Sequence, residues 1–171
     1  MTFDPVRFPV GPVQAPPAQT AAQLTAYAAS LQKTGAQLEQ RVSGLDEEQL
    51  ERRYRAGSFT VRQLVHHIAD GHQQGLMRFR WGLTGDTPTI LPMDPDGWAA
   101  LADYRLPPAV SLAIFAGVNT RWVTLLGTLD PQRLTRTVVR PGDGPMTLWQ
   151  LLARHDWHAR HHLGHIRLAL G

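Results

Sequence analysis

Residues 147–170 read TLWQLLARHDWHARHHLGHIRLAL, a pattern typical of a long amphipathic helix. Its apolar residues recur with helical spacing, as at Leu148, Leu151 and Ile166. Thr147 and Gln150 form the T-x-x-Q pattern of a capping box, which marks the first turn of a helix. We therefore predict a helix from about Thr147 to Leu170.

The same opening occurs earlier in the chain. The segment FTVRQLV at 59–65 resembles MTLWQLL at 146–152, and its Thr60 and Gln63 form a second T-x-x-Q box. A helix is predicted from about Thr60 to Leu83. Apolar spacing predicts two more long helices, at about 20–44 and 108–129, and a short one at 45–54. In the 108–129 helix the predicted apolar stripe comprises Ile114, Val118, Trp122, Leu125 and Leu129.

Four long helices with almost no strand pattern favour an all-α fold, an up-and-down four-helix bundle. Its 171 residues suffice for a single domain, 1–171, with a core of ordinary size. The proline-rich residues 1–18 are expected to form an extended arm on the bundle. The segment TGDTPTILPMDPDGW at 84–98 is a long loop after the second long helix, and such a loop can act as a lid.

Composition excludes several classes of function. The chain has no cysteine, which rules out disulfides and thiolate ligands. Its net charge of +3 comes mainly from arginines scattered among acidic residues, so we expect no nucleic-acid partner. No apolar leader is seen and no stretch approaches the roughly 18 apolar residues of a membrane span, so we expect a cytoplasmic protein without a membrane partner.

Histidine is the residue type that points to a function. Five of the eight histidines lie between 155 and 165. Two imidazoles spaced i, i+4 on a helix can close on one metal ion. On a helical wheel of roughly 100° per residue, the pair His158 and His162 faces the core, whereas His161 and His165 face outward. These last two are expected at the surface, at a subunit contact or behind the ligands.

The helical wheel does not identify the remaining ligands. His155 also points inward and is a rival to the pair. In VHHIADGH, at 65–72, the periodicity favours His72 over His67, but Gly71 and Gly75 leave space beside His67. Spacing alone leaves open which histidine of this helix joins the site.

Several motifs carry a resemblance to a known family: FPVG at 8–11, YRAGSFTVRQLVHHIADGH at 54–72, MRFRWGLTGDTPTILP at 77–92, NTRWVTLL at 119–126 and WHARHHLGHI at 157–166. Together they resemble the DinB/YfiT family of metal-dependent four-helix-bundle proteins, most closely its YfiT branch. The resemblance implies that His67, His158 and His162 bind one divalent ion, zinc or nickel. It also implies a homodimer.

A site with three protein ligands keeps open positions, which favours catalysis over a purely structural role. The resemblance implies a metal-dependent hydrolase that activates water for attack on a small-molecule substrate. An alternative is a thiol S-transferase, whose thiol must be an external low-molecular-weight compound such as bacillithiol. An alternative of another class is a non-enzymatic stress-response protein in which the metal ties two helices together.

Several other residues are candidates for supporting groups. Asp70 or Asp156 could orient an imidazole, although a solvated carboxylate is the commoner role. Arginines could bind an anionic thiol or carboxylate, although surface ion pairs are commoner; these are Arg62, Arg78 and Arg80. The tryptophans are expected in the core or at a dimer contact; these are Trp81, Trp122 and Trp157.

Overall fold

The fold is a bundle of four long helices with a small hairpin beside it. The computed structural model describes residues 3–16 and 18–171. Its elements in chain order are α1 (Ala21–Val42), α2 (Glu47–Glu51), α3 (Val61–Thr84), α4 (Pro95–Ala99), α5 (Pro108–Leu126), β1 (Thr137–Arg140), β2 (Gly144–Thr147) and α6 (Leu148–Leu170). Short 3-10 turns at Ala102–Arg105 and Pro131–Thr135 complete the connections.

The two predicted capping boxes are confirmed. The Thr60 hydroxyl accepts a hydrogen bond from the Gln63 backbone N–H, and the Gln63 side chain accepts one from the Thr60 N–H. Thr147 and Gln150 repeat this exchange at the start of α6. Each box satisfies backbone donors that the first helical turn leaves without partners. The two histidine-bearing helices therefore begin in the same way.

The four-helix bundle is confirmed, and its helices surround the core in an order different from their order in the chain. α3 packs mainly against α5 and α6, and α1 packs against the same two helices. Around the bundle the order is thus α1, α5, α3, α6. This order makes α3 and α6 neighbours, although about ninety residues separate their histidines. Side chains from both helices can therefore meet.

The predicted apolar stripe of α5 is partly wrong. Trp122 is fully buried as expected, but Ile114 is 41% exposed, and the inner face runs through Phe115 and Leu126. α5 is apolar on most of its surface, so hydrophobic spacing does not reveal which face turns inward. The buried polar Asn119 marks that face, since its side-chain N–H donates to the Leu31 carbonyl of α1.

α5 also corrects an expectation about membrane segments. By length and composition alone it could cross a membrane, with a mean hydropathy of 1.4 over its most apolar window. No such stretch was expected from the sequence. One such helix is weak evidence of insertion, because core helices pass the same test. Here α5 packs against α1 and α3 within the bundle.

The hairpin was not predicted, because each strand has only four residues and the PGDGP segment resembles a simple turn. β1 pairs antiparallel with β2, from Thr137 opposite Thr147 to Arg140 opposite Gly144. The long loop after α3 is attached to β1. The Ile90 N–H donates to the Val139 carbonyl at 2.8 Å, and Ile90 itself is buried.

The N-terminal arm lies on α6. The Trp157 indole N–H donates to the Gly11 carbonyl at 2.8 Å, and a ring nitrogen of His165 lies 3.2 Å from the Arg7 carbonyl oxygen. The expectation that the arm is extended holds only in part, because the Phe8 N–H closes a turn on the Asp4 carbonyl. Residues 1, 2 and 17 of the predicted arm lie outside the described residues.

Candidate metal centre

Three histidines from two neighbouring helices lie together. His67 of α3 meets His158 and His162 of α6, and one ring nitrogen from each lies within 4.8 Å of the other two. The Nε2 atoms of His67 and His158 are 3.0 Å apart. The structure thus brings together the three residues that the family resemblance indicated and separates them from His72.

A glycine makes this approach possible. A Cβ atom at Gly71 would lie 2.6 Å from Cε1 and 3.1 Å from Nδ1 of His158, which is closer than side-chain contacts allow. Gly71 stands one helical turn beyond His67 on the face of α3 turned to α6. Its missing side chain leaves the space that the His158 ring occupies.

Burial keeps these imidazoles neutral. Desolvation lowers the pKa of His67 to about 4, although Asp96 acts in the opposite direction. Desolvation also holds the pKa of His158 and of His162 well below the usual histidine value, and the neighbouring histidines lower it further. A neutral imidazole has a free lone pair, which is the form that binds a metal. The Nδ1 atoms of His67 and His158 are buried and have no hydrogen-bond partner among the described residues.

Of the alternatives expected for His161 and His165, a position at the surface is wrong, whereas a position behind the ligands fits His165. His165 is 2% exposed and His161 is 7% exposed. The wheel placed them away from the bundle core correctly, but the N-terminal arm covers that side of α6. Phe8 approaches the ring of His161, and Arg7 approaches that of His165.

His165 stands behind a member of the cluster. Its Nδ1 lies 3.2 Å from Nδ1 of His162, and its ring stacks on Tyr54 with centroids 3.9 Å apart. His161, His162 and His165 form a second group whose ring nitrogens lie within 4.8 Å of one another. His162 therefore belongs to both groups.

The other histidines have separate positions. His72 is fully buried between Phe115 and Trp122, so the wheel predicted its burial correctly but not membership of the cluster. His66 lies on another side of α3, where its ring nitrogens contact the Ser111 hydroxyl and the Leu106 carbonyl. His155 is buried and lines the cavity beside the cluster, with neither ring nitrogen hydrogen-bonded to a described residue.

Among the described residues, neither candidate carboxylate forms a hydrogen bond with the three histidines. Asp70 accepts a hydrogen bond from the Tyr104 hydroxyl at 2.6 Å. Asp156 is 4% exposed and binds the Arg160 guanidinium, so the expectation of a solvated carboxylate is wrong for it. The described contacts give each a partner other than an imidazole.

A cavity of about 230 Å³ opens over the histidine cluster. His67, His158 and His162 all contribute to its wall, together with Met93 and Pro95 from the long loop. That loop therefore covers part of the cavity, as a lid would.

Arginines also line this cavity. Arg78 was among the sequence candidates, whereas Arg140 and Arg154 were missed. Arg140 ends β1 in the hairpin that the sequence did not reveal, so no sequence signal joined it to the histidines. The other two candidates are not in the cavity wall: Arg62 pairs with Glu47 and Glu51, and Arg80 is partly exposed.

The tryptophans divide between core and surface. Trp122 is fully buried and lies against His72 and His155. Trp157 is partly buried beneath the arm and stacks on His161. Trp81 is 46% exposed, so it is not a core residue.

A helical bundle that gathers three neutral histidines from facing helices beside a cavity has the features of a metal-binding class. The sequence profile of the DinB superfamily matches residues 30–166. The chain belongs to the DinB superfamily.

Relatives with assigned names agree with this class. The chain is 38% identical over 167 residues to a protein of Geobacillus thermodenitrificans named "Putative metal-dependent hydrolase", covering 96% of this chain and 94% of the relative. A Bacillus anthracis protein of the same name is 35% identical over 161 residues, covering 94% of this chain and 93% of the relative. Relatives of nearly full length thus carry names that indicate a metal-dependent enzyme.

A solved structure shares the fold. YfiT from Bacillus subtilis, described as "a probable metal-dependent hydrolase with an unusual four-helix bundle topology", superimposes with a TM-score of 0.90 at 34% identity. The match covers 96% of this chain and 95% of that chain. An unusual topology fits the helix order found here, in which α1 and α3 do not lie side by side.

Proposed function

We propose that the protein is a metal-dependent hydrolase whose single divalent ion, zinc or nickel, is bound by His67, His158 and His162. The observation that carries the proposal is the meeting of three neutral imidazoles from two helices at the wall of a cavity. The names of the relatives point to the same class of reaction.

The residues present fit a metal ion. Two imidazole nitrogens on a tetrahedral zinc lie about 3.3 Å apart, given zinc–nitrogen bonds of about 2.0–2.1 Å. The 3.0 Å between Nε2 of His67 and Nε2 of His158 is close to this value. A shared cation would take the lone pairs of both nitrogens, which otherwise can share at most one hydrogen bond. Three protein ligands would leave a fourth position for water or substrate.

A divalent ion held by His67, His158 and His162 would supply Lewis-acid chemistry for hydrolysis. The chain itself supplies part of the surroundings of the site. Met93, Ile90 and Leu151 form apolar parts of the wall, which limit the access of bulk water. Gly71 leaves the space in which His158 holds its position.

His155 is the group of this chain best placed to act on a substrate. It is buried, lines the cavity and has no hydrogen bond from a described residue. Desolvation lowers its pKa well below the usual value, so the ring is neutral and can donate at one nitrogen and accept at the other. We propose that it hydrogen-bonds a polar group of the substrate.

Hydrolysis by the zinc- or nickel-loaded protein tests the proposal. A panel of activated esters and amides is incubated with the loaded protein, the chelated protein and a His158→Ala, His162→Ala double variant. Metal-dependent hydrolysis that is absent in the double variant is expected. Consumption of an electrophile only when a small thiol is added would instead support the S-transferase alternative. Loss of metal without loss of hydrolysis would contradict both.

Two further predictions concern the state of the protein in the cell. We propose that the chain forms a homodimer and acts in the cytoplasm. Light scattering of the purified protein tests the dimer, and a mass of one chain would contradict it. Fractionation of the source cells with an antibody tests the location.

A further inference from the structure

The wall of the cavity carries a concentration of positive charge. Arg78 comes from α3, Arg140 from the end of β1 and Arg154 from α6, and all three line the cavity that contains the histidine cluster. None of the described residues that line it is acidic. Three guanidinium groups from three separate elements therefore converge on a space of about 230 Å³.

These charges are only partly neutralised. Asp143, in the turn between β1 and β2, forms an ion pair with Arg140. The same carboxylate lies 3.9 Å from Arg154, which is beyond hydrogen-bond distance. Within the described part of the chain, the three cations thus have one ion-pair partner, Asp143. A divalent ion at the histidines would add further positive charge.

The arginines also influence one another. Burial lowers the pKa of Arg78, and the charges of Arg140 and Arg154 lower it further. Burial and Arg140 likewise lower the pKa of Arg154, whereas Asp143 raises it. Like charges brought together without matching anions are costly unless something binds between them. An anionic ligand between the three guanidinium groups would offset that cost.

We propose that Arg78, Arg140 and Arg154 form an anion-binding subsite that holds a carboxylate or phosphate group of the substrate beside the histidine cluster. This inference rests on the proposed function for its reaction and deepens it by naming the substrate class. The substrate is a small molecule with a negatively charged group at one end and the bond to be cleaved at the other.

The donors for such a group are available. One terminal nitrogen of Arg78 already binds the Gln74 side chain and the Leu91 carbonyl, which fixes the position of its guanidinium. A guanidinium has five N–H donors, so others remain for a ligand. Paired N–H groups of arginine match the two oxygens of a carboxylate or phosphate. His155 lies in the same wall as an additional neutral donor.

Binding of simple anions to the metal-free protein tests the subsite. Metal is removed with a chelator, which is then dialysed away, and succinate and inorganic phosphate are titrated by calorimetry at low salt. The variants are Arg140→Gln and Arg154→Gln. Arg154 and Arg140 are 46% and 26% exposed, so glutamine at either position should leave the bundle folded. Arg121→Gln, at an exposed position of α5 outside this cavity wall, is the matched control.

We expect one equivalent of succinate, phosphate or both to bind the wild-type protein. Each cavity variant should weaken binding about tenfold, the effect of losing a charged hydrogen bond, whereas the control should bind as wild type does. Preference for succinate would identify a carboxylate substrate, and preference for phosphate a phosphorylated one. Absence of binding for both anions, or equal binding by all variants, would overturn the subsite.

The result is independent of the hydrolase proposal. Because no metal is present, anion binding does not require water activation. Binding without hydrolysis would leave the subsite standing and count against the proposed reaction. Hydrolysis without arginine-dependent anion binding would support the proposed reaction and count against the subsite.

Discussion

The Nδ1 atoms of His162 and His165 lie 3.2 Å apart, and the Nε2 of His165 lies 3.2 Å from the Arg7 carbonyl oxygen. A carbonyl only accepts, so the Nε2 of His165 carries a hydrogen. Burial lowers the pKa of His165, so the ring is neutral and its Nδ1 must accept. His162 then donates from Nδ1 and keeps the lone pair of Nε2 free. The arm thus sets which nitrogen of His162 can bind a metal.

Replacing His165 with phenylalanine should weaken metal binding. The ring that stacks on Tyr54 is retained, but the acceptor that fixes the tautomer of His162 is lost. Removal of such a supporting partner typically costs about 10–100-fold in metal affinity. Competition with a chromophoric chelator measures the change. His161→Phe is the matched control, because the His161 ring also stacks on an aromatic side chain, Trp157, but forms no hydrogen bond with His162. Equal metal affinities for the two variants would refute the proposed effect of His165 on the tautomer of His162.

Gly71→Ala should disturb the histidine cluster more than the addition of one methyl group would suggest. The added Cβ would lie 2.6 Å from the His158 ring, so that ring must move. Metal affinity should fall at least about tenfold, in the range seen when ligands lose their orientation. Gly117→Ala on α5 is the control, since a Cβ there has no atom within 4 Å. It should leave metal binding unchanged and stabilise the fold by about 0.5–1 kcal/mol in urea unfolding. Unchanged metal affinity in Gly71→Ala would contradict the close packing of α3 and α6.

The sequence predicted much of this arrangement for identifiable reasons. Thr60 and Thr147 begin their helices because capping is a local interaction between residues three positions apart. The inward pair His158 and His162 follows from helical spacing on one element. The choice of His67 over His72 depended on how α3 packs against α6, and only the family resemblance indicated it.

Acid should destabilise the metal-free protein through His72. Desolvation lowers its pKa to about 3, while Asn119 acts in the opposite direction. In the unfolded chain His72 binds a proton near pH 6.5, whereas in the folded chain it does not. Its contribution to stability is therefore fully present above pH 6.5 and is lost as the pH falls towards 3. Between pH 7.5 and pH 5.5 this histidine should remove about 1 kcal/mol from the free energy of unfolding. Urea titrations of wild type and His72→Leu at both pH values measure it. An identical loss in the two proteins would show that His72 does not contribute.

Metal content distinguishes the two histidine groups. His158→Ala combined with His162→Ala should abolish stoichiometric binding of zinc or nickel, because two of three proposed ligands are lost. His161→Ala should still bind one ion per chain, because it lies outside the group that contains His67. Elemental analysis of the purified variants measures both. Retention of the ion by the double variant would contradict the ligand assignment.

Long-range contacts explain what the sequence did not reveal. His161 and His165 are buried by the arm, and a helical wheel contains no information about a segment some 150 residues away. Arg140 and Arg154 meet Arg78 only because a short hairpin returns the chain to α6. No sequence periodicity links these positions, so the residues that line the cavity could not be predicted from their spacing.

The central claim is that one divalent ion lies between α3 and α6 on three histidines. Anomalous X-ray scattering at the zinc edge, from crystals grown with zinc, tests it most directly. We predict one strong peak about 2.0–2.1 Å from a ring nitrogen of each of His67, His158 and His162, with no fourth protein ligand. A peak on His161 and His165 instead, a fourth protein ligand or no peak at the three histidines would contradict the account.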